Sequence, residues 1–128
     1  MLTTKEEIAR AILQRTIDNF DYYGWCQDYF AKDINNREVN YTSNRVARLC
    51  LAGGIERATY QLQMEKAYNP VKDNEEGKDL IYATIQRIIG QEEGYSISFF
   101  NDREGQTFPG IRNMLQEIMN SLPSDKKE

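Results

Sequence analysis

The run Thr107-Phe108-Pro109-Gly110-Ile111-Arg112-Asn113-Met114-Leu115-Gln116-Glu117-Ile118-Met119-Asn120-Ser121-Leu122-Pro123 spells out a complete helix. Thr107 offers a capping oxygen to the orphan N–H groups of a first turn. Pro109 falls inside that turn, where its missing N–H does no harm. Ile111, Met114, Leu115, Ile118, Met119 and Leu122 then recur at steps of three and four, which is one apolar stripe. Pro123 stops the element.

The same spelling recurs upstream. Lys78 to Ile89 places Leu80, Ile81, Ile85, Ile88 and Ile89 on one face, and Gly90 supplies the stop. Ser96 is placed to cap a single turn holding Ile97, Phe99 and Phe100, and Asn101-Asp102-Arg103-Glu104-Gly105 has turn chemistry. Asn44 to Tyr68 reads as a helix capped by Ser43 or Thr42, with Val46, Leu49, Cys50, Ile55, Leu62 and Met64 inward. Gly53-Gly54 interrupts it. Two interior glycines each cost about 1 kcal/mol relative to alanine, and such a pair reports a close helix crossing, a kink or a break into two helices; close packing is the preferred reading, because the apolar phase continues afterwards. Asn69-Pro70 ends the element, and Val71 to Gly77 is a polar connection. Thr4 to Phe20 forms the first helix. Thr4 with Glu7 has capping-box spacing and Thr3 with Glu6 is a competing register. Ile8, Ile12, Leu13, Ile17 and Phe20 make its stripe, and Asn19 and Gly24 mark the exit. Trp25 to Ala31 is read as a short helix and Asp33 to Glu38 as a turn. Arg37-Glu38-Val39-Asn40-Tyr41 is the single strand candidate, and it is weak. The expected fold is all-α: one compact bundle of four main helices plus short helical turns over residues 1–123, then a charged tail at 124–128.

Composition narrows the chemistry. The chain has 128 residues, the size of one domain, with 16 basic and 20 acidic side chains and a net charge of −4. An acidic balance argues against nucleic acid, which asks for a basic footprint. No run approaches the ~20 apolar residues that cross a bilayer, and the polar, acidic N-terminus lacks the pattern of a secretory signal, so a cytoplasmic home is expected. There is no histidine. That removes Ser-His-Asp and Cys-His nucleophile pairs and histidine-based zinc or iron sites. Cys26 and Cys50 lack Cys-x-x-Cys spacing and are read as buried hydrophobes, with a disulfide or redox pair as the alternative. Gly53-Gly54 lacks the Lys-Ser/Thr of a phosphate-cradling loop. Glu6-Glu7, Glu75-Glu76 and Glu92-Glu93 fall at helix starts or in loops, where the helix dipole alone favours acids. No cofactor or metal is implied, and nothing favours an enzyme, although paired carboxylates leave acid–base work open.

Two segments between the helices stand out. Phe20-Asp21-Tyr22-Tyr23-Gly24-Trp25-Cys26-Gln27-Asp28-Tyr29-Phe30 and Phe99-Phe100-Asn101-Asp102 carry rings where connections are usually polar. In one reading Trp25, Tyr29 and Phe30 close an end of the core, with indole N–H and phenol O–H groups reaching partners at its edge. In the other they wall a pocket. Gln27 either reads a ligand or ties its loop to a neighbour. Asn101 and Asp102 either orient a ligand or form the turn before a helix cap.

Taken together, Gly24-Trp25-Cys26-Gln27, Arg48-Leu49-Cys50-Leu51-Ala52-Gly53-Gly54-Ile55, and Phe100-Asn101-Asp102 with Thr107 resemble domain-of-unknown-function family 6197, small proteins found mainly in actinobacteria and their phages. The resemblance spans about residues 8 to 122. Phe100, Leu49 and Gln106 depart from the family's Trp, Trp and Arg. No activity follows from it. It implies that Trp25, Gln27, Cys50, Gly53, Asn101, Asp102 and Thr107 share one region, and we expect the early loop and the Asn-Asp turn to meet at one end of the bundle.

The functional expectation is a non-enzymatic binding or adaptor protein, of the kind a phage or mobile element uses to inhibit a host protein, engaging a protein partner through an acidic, aromatic-bearing surface. The alternative is a small-molecule, nucleotide-like binder or sponge, with Trp25, Tyr29 and Phe100 stacking a base and Arg45 or Arg48 on a phosphate. An enzyme using Asp102 is the third reading. The candidate contact residues are therefore Trp25, Gln27, Tyr29, Arg48, Phe100, Asn101 and Asp102. The stripes can be satisfied within one chain, and oligomeric state stays open.

Overall fold

The structure, a computed structural model, is described over residues 4–65, 71–90 and 96–122. The capping side chains of Thr3 and Thr4, the second helix's end at Tyr68, Asn69-Pro70, Glu92-Glu93, Pro123 and the 124–128 tail lie outside the described residues. In chain order the elements are α1 (Thr4–Tyr22), β1 (Gly24–Trp25), β2 (Ala31–Lys32), β3 (Arg48–Leu49), α2 (Leu51–Met64), α3 (Val71–Ile89), α4 (Ile97–Asp102) and α5 (Phe108–Ser121). No described helix is long and apolar enough to cross a membrane.

The stripes set the core. Ile8, Ile12 and Leu13 of α1, Ile55 and Ala58 of α2, Ile81 and Ile85 of α3, and Ile111 and Ile118 of α5 are fully buried. Met64, expected inward, is instead largely exposed. The most extensive helix contact is α1 against α3, and Gly77 permits it: a Cβ there would sit 2.7 Å from Ile8 Cγ2. The expected caps are in place. Thr107 accepts from the N–H of Gly110, Ser96 accepts from that of Phe99, and Gly90 closes α3 at φ +102°.

The all-α expectation needs correction. The molecule is predominantly helical but carries a three-stranded sheet in the order β1-β3-β2, with β1 parallel and β2 antiparallel to β3. Trp25 to Ala31 is not a helix. It supplies the two flanking strands and the loop between them. Residues 44–50 are not helical either, although Val46, Leu49 and Cys50 have helical spacing. Their backbone groups bond outward to two neighbours: Gly24 donates to Ala47 O at 2.9 Å, Ala47 to Lys32 O at 2.8 Å and Cys50 to Phe30 O at 3.1 Å. Pairing between distant segments overrides the local pattern. The weak strand candidate contributes a single bridge, Glu38 to Lys32.

Helix α2 therefore starts seven residues later than expected, at Leu51, with extended Cys50 as its cap; the Cys50 Sγ accepts from Gly53 N at 3.2 Å. Gly53-Gly54 lies in the first turn of α2 rather than its interior. The expected close approach is found there: a Cβ on Gly53 would overlap the Phe30 carbonyl, and one on Gly54 would sit 2.7 Å from the Phe20 ring. Helix α3 starts earlier than expected. Val71 to Gly77 is helical, and its polar look misleads because Asn74 is fully buried.

Candidate functional site

Asn101, the penultimate residue of α4, organises the end of the bundle. It is fully buried. Its amide oxygen accepts from Trp25 Nε1 at 2.8 Å and from Leu51 N at 2.9 Å. Its amide nitrogen donates to Cys26 O at 3.1 Å and to Asp102 Oδ1 at 2.8 Å. Two acceptances and two donations use the full capacity of a primary amide. Around it, Gln27 Nε2 donates to the carbonyls of Asn101 (3.1 Å) and Arg103 (3.2 Å), and Asp28 N donates to Asp102 Oδ1 at 2.9 Å. Gln106 donates to Phe100 O at 2.9 Å and leads into the Thr107 cap.

The early loop and the Asn-Asp turn thus converge, as expected. What they build at the point of contact is structural. Trp25, Gln27 and Asn101 spend their polar groups on one another, and Phe100 is buried beneath the guanidinium of Arg103, 5.0 Å from its ring. Asp102 is bonded into this network yet also faces open space.

That space is a cleft of about 340 Å³ beside the hub, lined by Asp28, Tyr29, Phe30, Glu38, Val39, Asn40, Tyr41, Cys50, Ser98 and Asp102. Tyr29 and Phe30 are each 45% exposed, so these two rings answer to the pocket reading while Trp25 answers to the packing one. The outer wall is fixed from behind. Arg57, almost wholly buried on α2, donates to Tyr41 O at 2.6 Å, Ser43 O at 3.0 Å and Tyr23 Oη at 2.9 Å. Among the described residues three rings and three carboxylates line this cleft, and no basic side chain does. The carboxylates are spread around the rim: among the described residues no group of three or more Cys, Asp or Glu side chains is placed to hold a metal ion.

A second cleft, of about 270 Å³, opens on the other side of the 26–30 loop and is lined by Trp25, Cys26, Gln27, Asp28, Lys32, Asn36 and Arg48. Trp25, Tyr29 and Phe100, expected to stack one base together, are therefore separated: Trp25 lines the second cleft, Tyr29 the first, and Phe100 is in the core. Arg45 lies apart from both, against the Asp33–Arg37 turn. In that turn the backbone N–H groups of Arg37 and Asn35 hold the Asp33 carboxyl below the usual carboxylate range.

Both cysteines are free, and burial pushes their thiols up, Cys26 to about 11 and Cys50 to about 12. Neither is a thiolate at neutral pH, which fits the buried-hydrophobe reading. Asp28, Glu38, Val39, Asn40, Tyr41 and Ser98 were not anticipated for the first cleft, nor Lys32 and Asn36 for the second. The sequence offers one cue to them, the Asn/Asp-rich turn that folds Glu38–Tyr41 back beside β2.

With this geometry in view the chain can be placed. It belongs to the family described as Family of unknown function (DUF6197), which matches residues 4–120. No curated protein and no solved structure matches it.

Proposed function

We propose that the chain is a non-enzymatic binding protein that engages a protein partner through the first cleft, by receiving a cationic side chain. Host-protein inhibition by a phage or mobile element is one form such binding takes. A single observation carries the reading: a cleft of about 340 Å³ lined by Tyr29, Phe30 and Tyr41 together with Asp28, Glu38 and Asp102, and, among the described residues, by no lysine or arginine. Ring faces attract an ammonium or guanidinium group; Phe30 and Tyr41 offer theirs here, since Lys32 Nζ already lies 5.1 Å from the Tyr29 ring centre, and rim carboxylates add charge-assisted hydrogen bonds. Fixed walls favour such capture because less freedom is lost on binding, and the Arg57 bonds fix the Tyr41 wall.

Calorimetric titration with short peptides that differ at one central residue, Arg, Lys or Gln, tests this. The Arg or Lys peptide should bind with an affinity that falls as salt rises, and Glu38→Gln with Asp102→Asn should weaken it at least tenfold. Asn at position 102 keeps an oxygen for Asp28 N, so the fold is preserved. Equal binding of the Gln peptide, or no heat from any of the three, overturns the reading.

A further inference from the structure

The outer face of the small sheet carries an electrostatic conflict. Lys32 on β2 and Arg48 on β3 are register partners in an antiparallel pair, so their side chains share a face. Like charges set directly opposite each other in this way destabilise a sheet. Among the described residues neither forms an ion pair with a carboxylate. Lys32 Nζ lies 5.1 Å from the Tyr29 ring centre. Arg48 is held in place by neutral groups alone: Nη2 donates to Asn36 Oδ1 at 2.8 Å and reaches Asp33 O at 3.5 Å. Its Nε–H is shut away from solvent and has no partner among the described residues.

The third strand makes room for this arginine. Gly24 is the β1 register partner of Arg48, and a Cβ at Gly24 would sit 2.9 Å from Arg48 Cγ. The row Gly24–Arg48–Lys32 is thus a glycine floor, an oriented guanidinium and an ammonium, facing out. The other row, Trp25–Leu49–Ala31, faces the core. The outward pair lines the second cleft with Trp25, Gln27, Asp28 and Asn36, which among the described residues sets two cations against one carboxylate in a chain whose net charge is −4.

We propose that this cleft is an oxyanion site that takes a phosphate-sized anion between Lys32 and Arg48. An anion there turns one repulsion into two attractions, and an oriented guanidinium suits a tetrahedral oxyanion. The proposal stands apart from the first cleft's role, since it rests on the opposite charge balance across the 26–30 loop.

Thermal melts and side-chain NMR of the full chain in chloride against inorganic phosphate at matched ionic strength test it, with adenosine monophosphate as a further arm. Phosphate should raise the Tm of the parent and shift the Arg48 Nε–H signal saturably. Tighter saturation by adenosine monophosphate assigns the anion to a nucleotide, and equal or weaker saturation assigns it to the free ion. Lys32→Gln should melt higher than the parent in chloride, because the repulsion is gone, and should lose the phosphate response. Arg48→Met removes a group that anchors the 33–36 turn and can fail to fold, so the lysine variant decides. A lower Tm for Lys32→Gln in chloride, or an equal phosphate response in both proteins, overturns the proposal.

Discussion

Trp25 and Asn101, 76 positions apart, are joined by a 2.8 Å hydrogen bond from the indole Nε1 to an amide oxygen that also serves Leu51 N, the first residue of α2. One side chain thereby binds β1, α2 and α4 at a single point. Trp25→Phe removes one donor and leaves the amide otherwise satisfied, so a loss of about 1 kcal/mol is expected. Asn101→Ala strands the indole N–H, the Leu51 N–H and the Cys26 carbonyl together, and about 3 kcal/mol or more should be lost. Denaturant titration measures both. The chain has one tryptophan, so its emission in Asn101→Ala reports any loosening of β1 directly.

Gly53 faces the Phe30 carbonyl so closely that no side chain fits between them. Gly53→Ala should lower stability by about 2 kcal/mol, because backbone on both sides must shift. The same change at Gly90, where φ is +102° but space is open, should cost only local strain. A larger Tm drop at position 90 than at 53 would contradict the close approach of Gly53 to Phe30.

Glu56 ties α2 to α3, accepting from Lys78 Nζ at 3.0 Å and Tyr82 Oη at 2.8 Å. Burial works against the Lys78 ammonium, but its bonds to Glu56 and Glu75 hold its pKa above the ordinary lysine value. Glu56→Gln leaves a mostly buried cation with one exposed partner, and a loss of about 2 kcal/mol is expected. Glu56→Gln combined with Lys78→Met should lose less than the sum of the two single changes, which a double-mutant cycle measures.

Alkaline pH should destabilise the fold in a defined window. The folded-state values of Cys26 and Cys50, about 11 and about 12, lie above the ordinary thiol value of 9.0. The unfolded chain therefore releases these protons first. The contribution is complete below pH 9 and is lost as pH rises from about 9 through 11 to 12. Burial raises the Tyr82 hydroxyl as well, in the same direction. Cys50→Ser keeps an oxygen for the α2 cap but has no thiol to ionise, so its stability should fall less steeply over this range in pH-resolved denaturation.

The helical frame was legible because its signals are local. The Thr107 and Ser96 caps, the Gly90 stop and the stripes of α1 and α5 each occupy a few consecutive residues, and each is found where expected. The sheet was not legible. Strands of two residues show no alternation, and β3 exists only because residues 24–25 and 31–32 flank it. The start of α2 was missed because cysteine is an unusual cap and Val46, Leu49 and Cys50 imitate a helix stripe. The first turns of α3 were missed because Asn74 and Gly77 serve the interior while looking polar and flexible. Ring content and family resemblance pointed to the end where the early loop and the Asn-Asp turn meet. They did not separate the residues that hold it together, Trp25, Gln27 and Asn101, from those that face out, Tyr29, Phe30 and Asp102.

The distance in sequence between Trp25 and Asn101 also fixes when the first cleft can form. Closing so long a loop carries an entropic cost that only the finished contact offsets. The first cleft draws one wall from residues 28–41 and another from Ser98 and Asp102. A chain still emerging from the ribosome with α4 unmade has half a cleft and no Asn101 to set the loop beside it. The cleft is therefore complete only once residues 98–102 are in place, and a partner of the proposed kind would bridge the 28–41 segment and α4 at once.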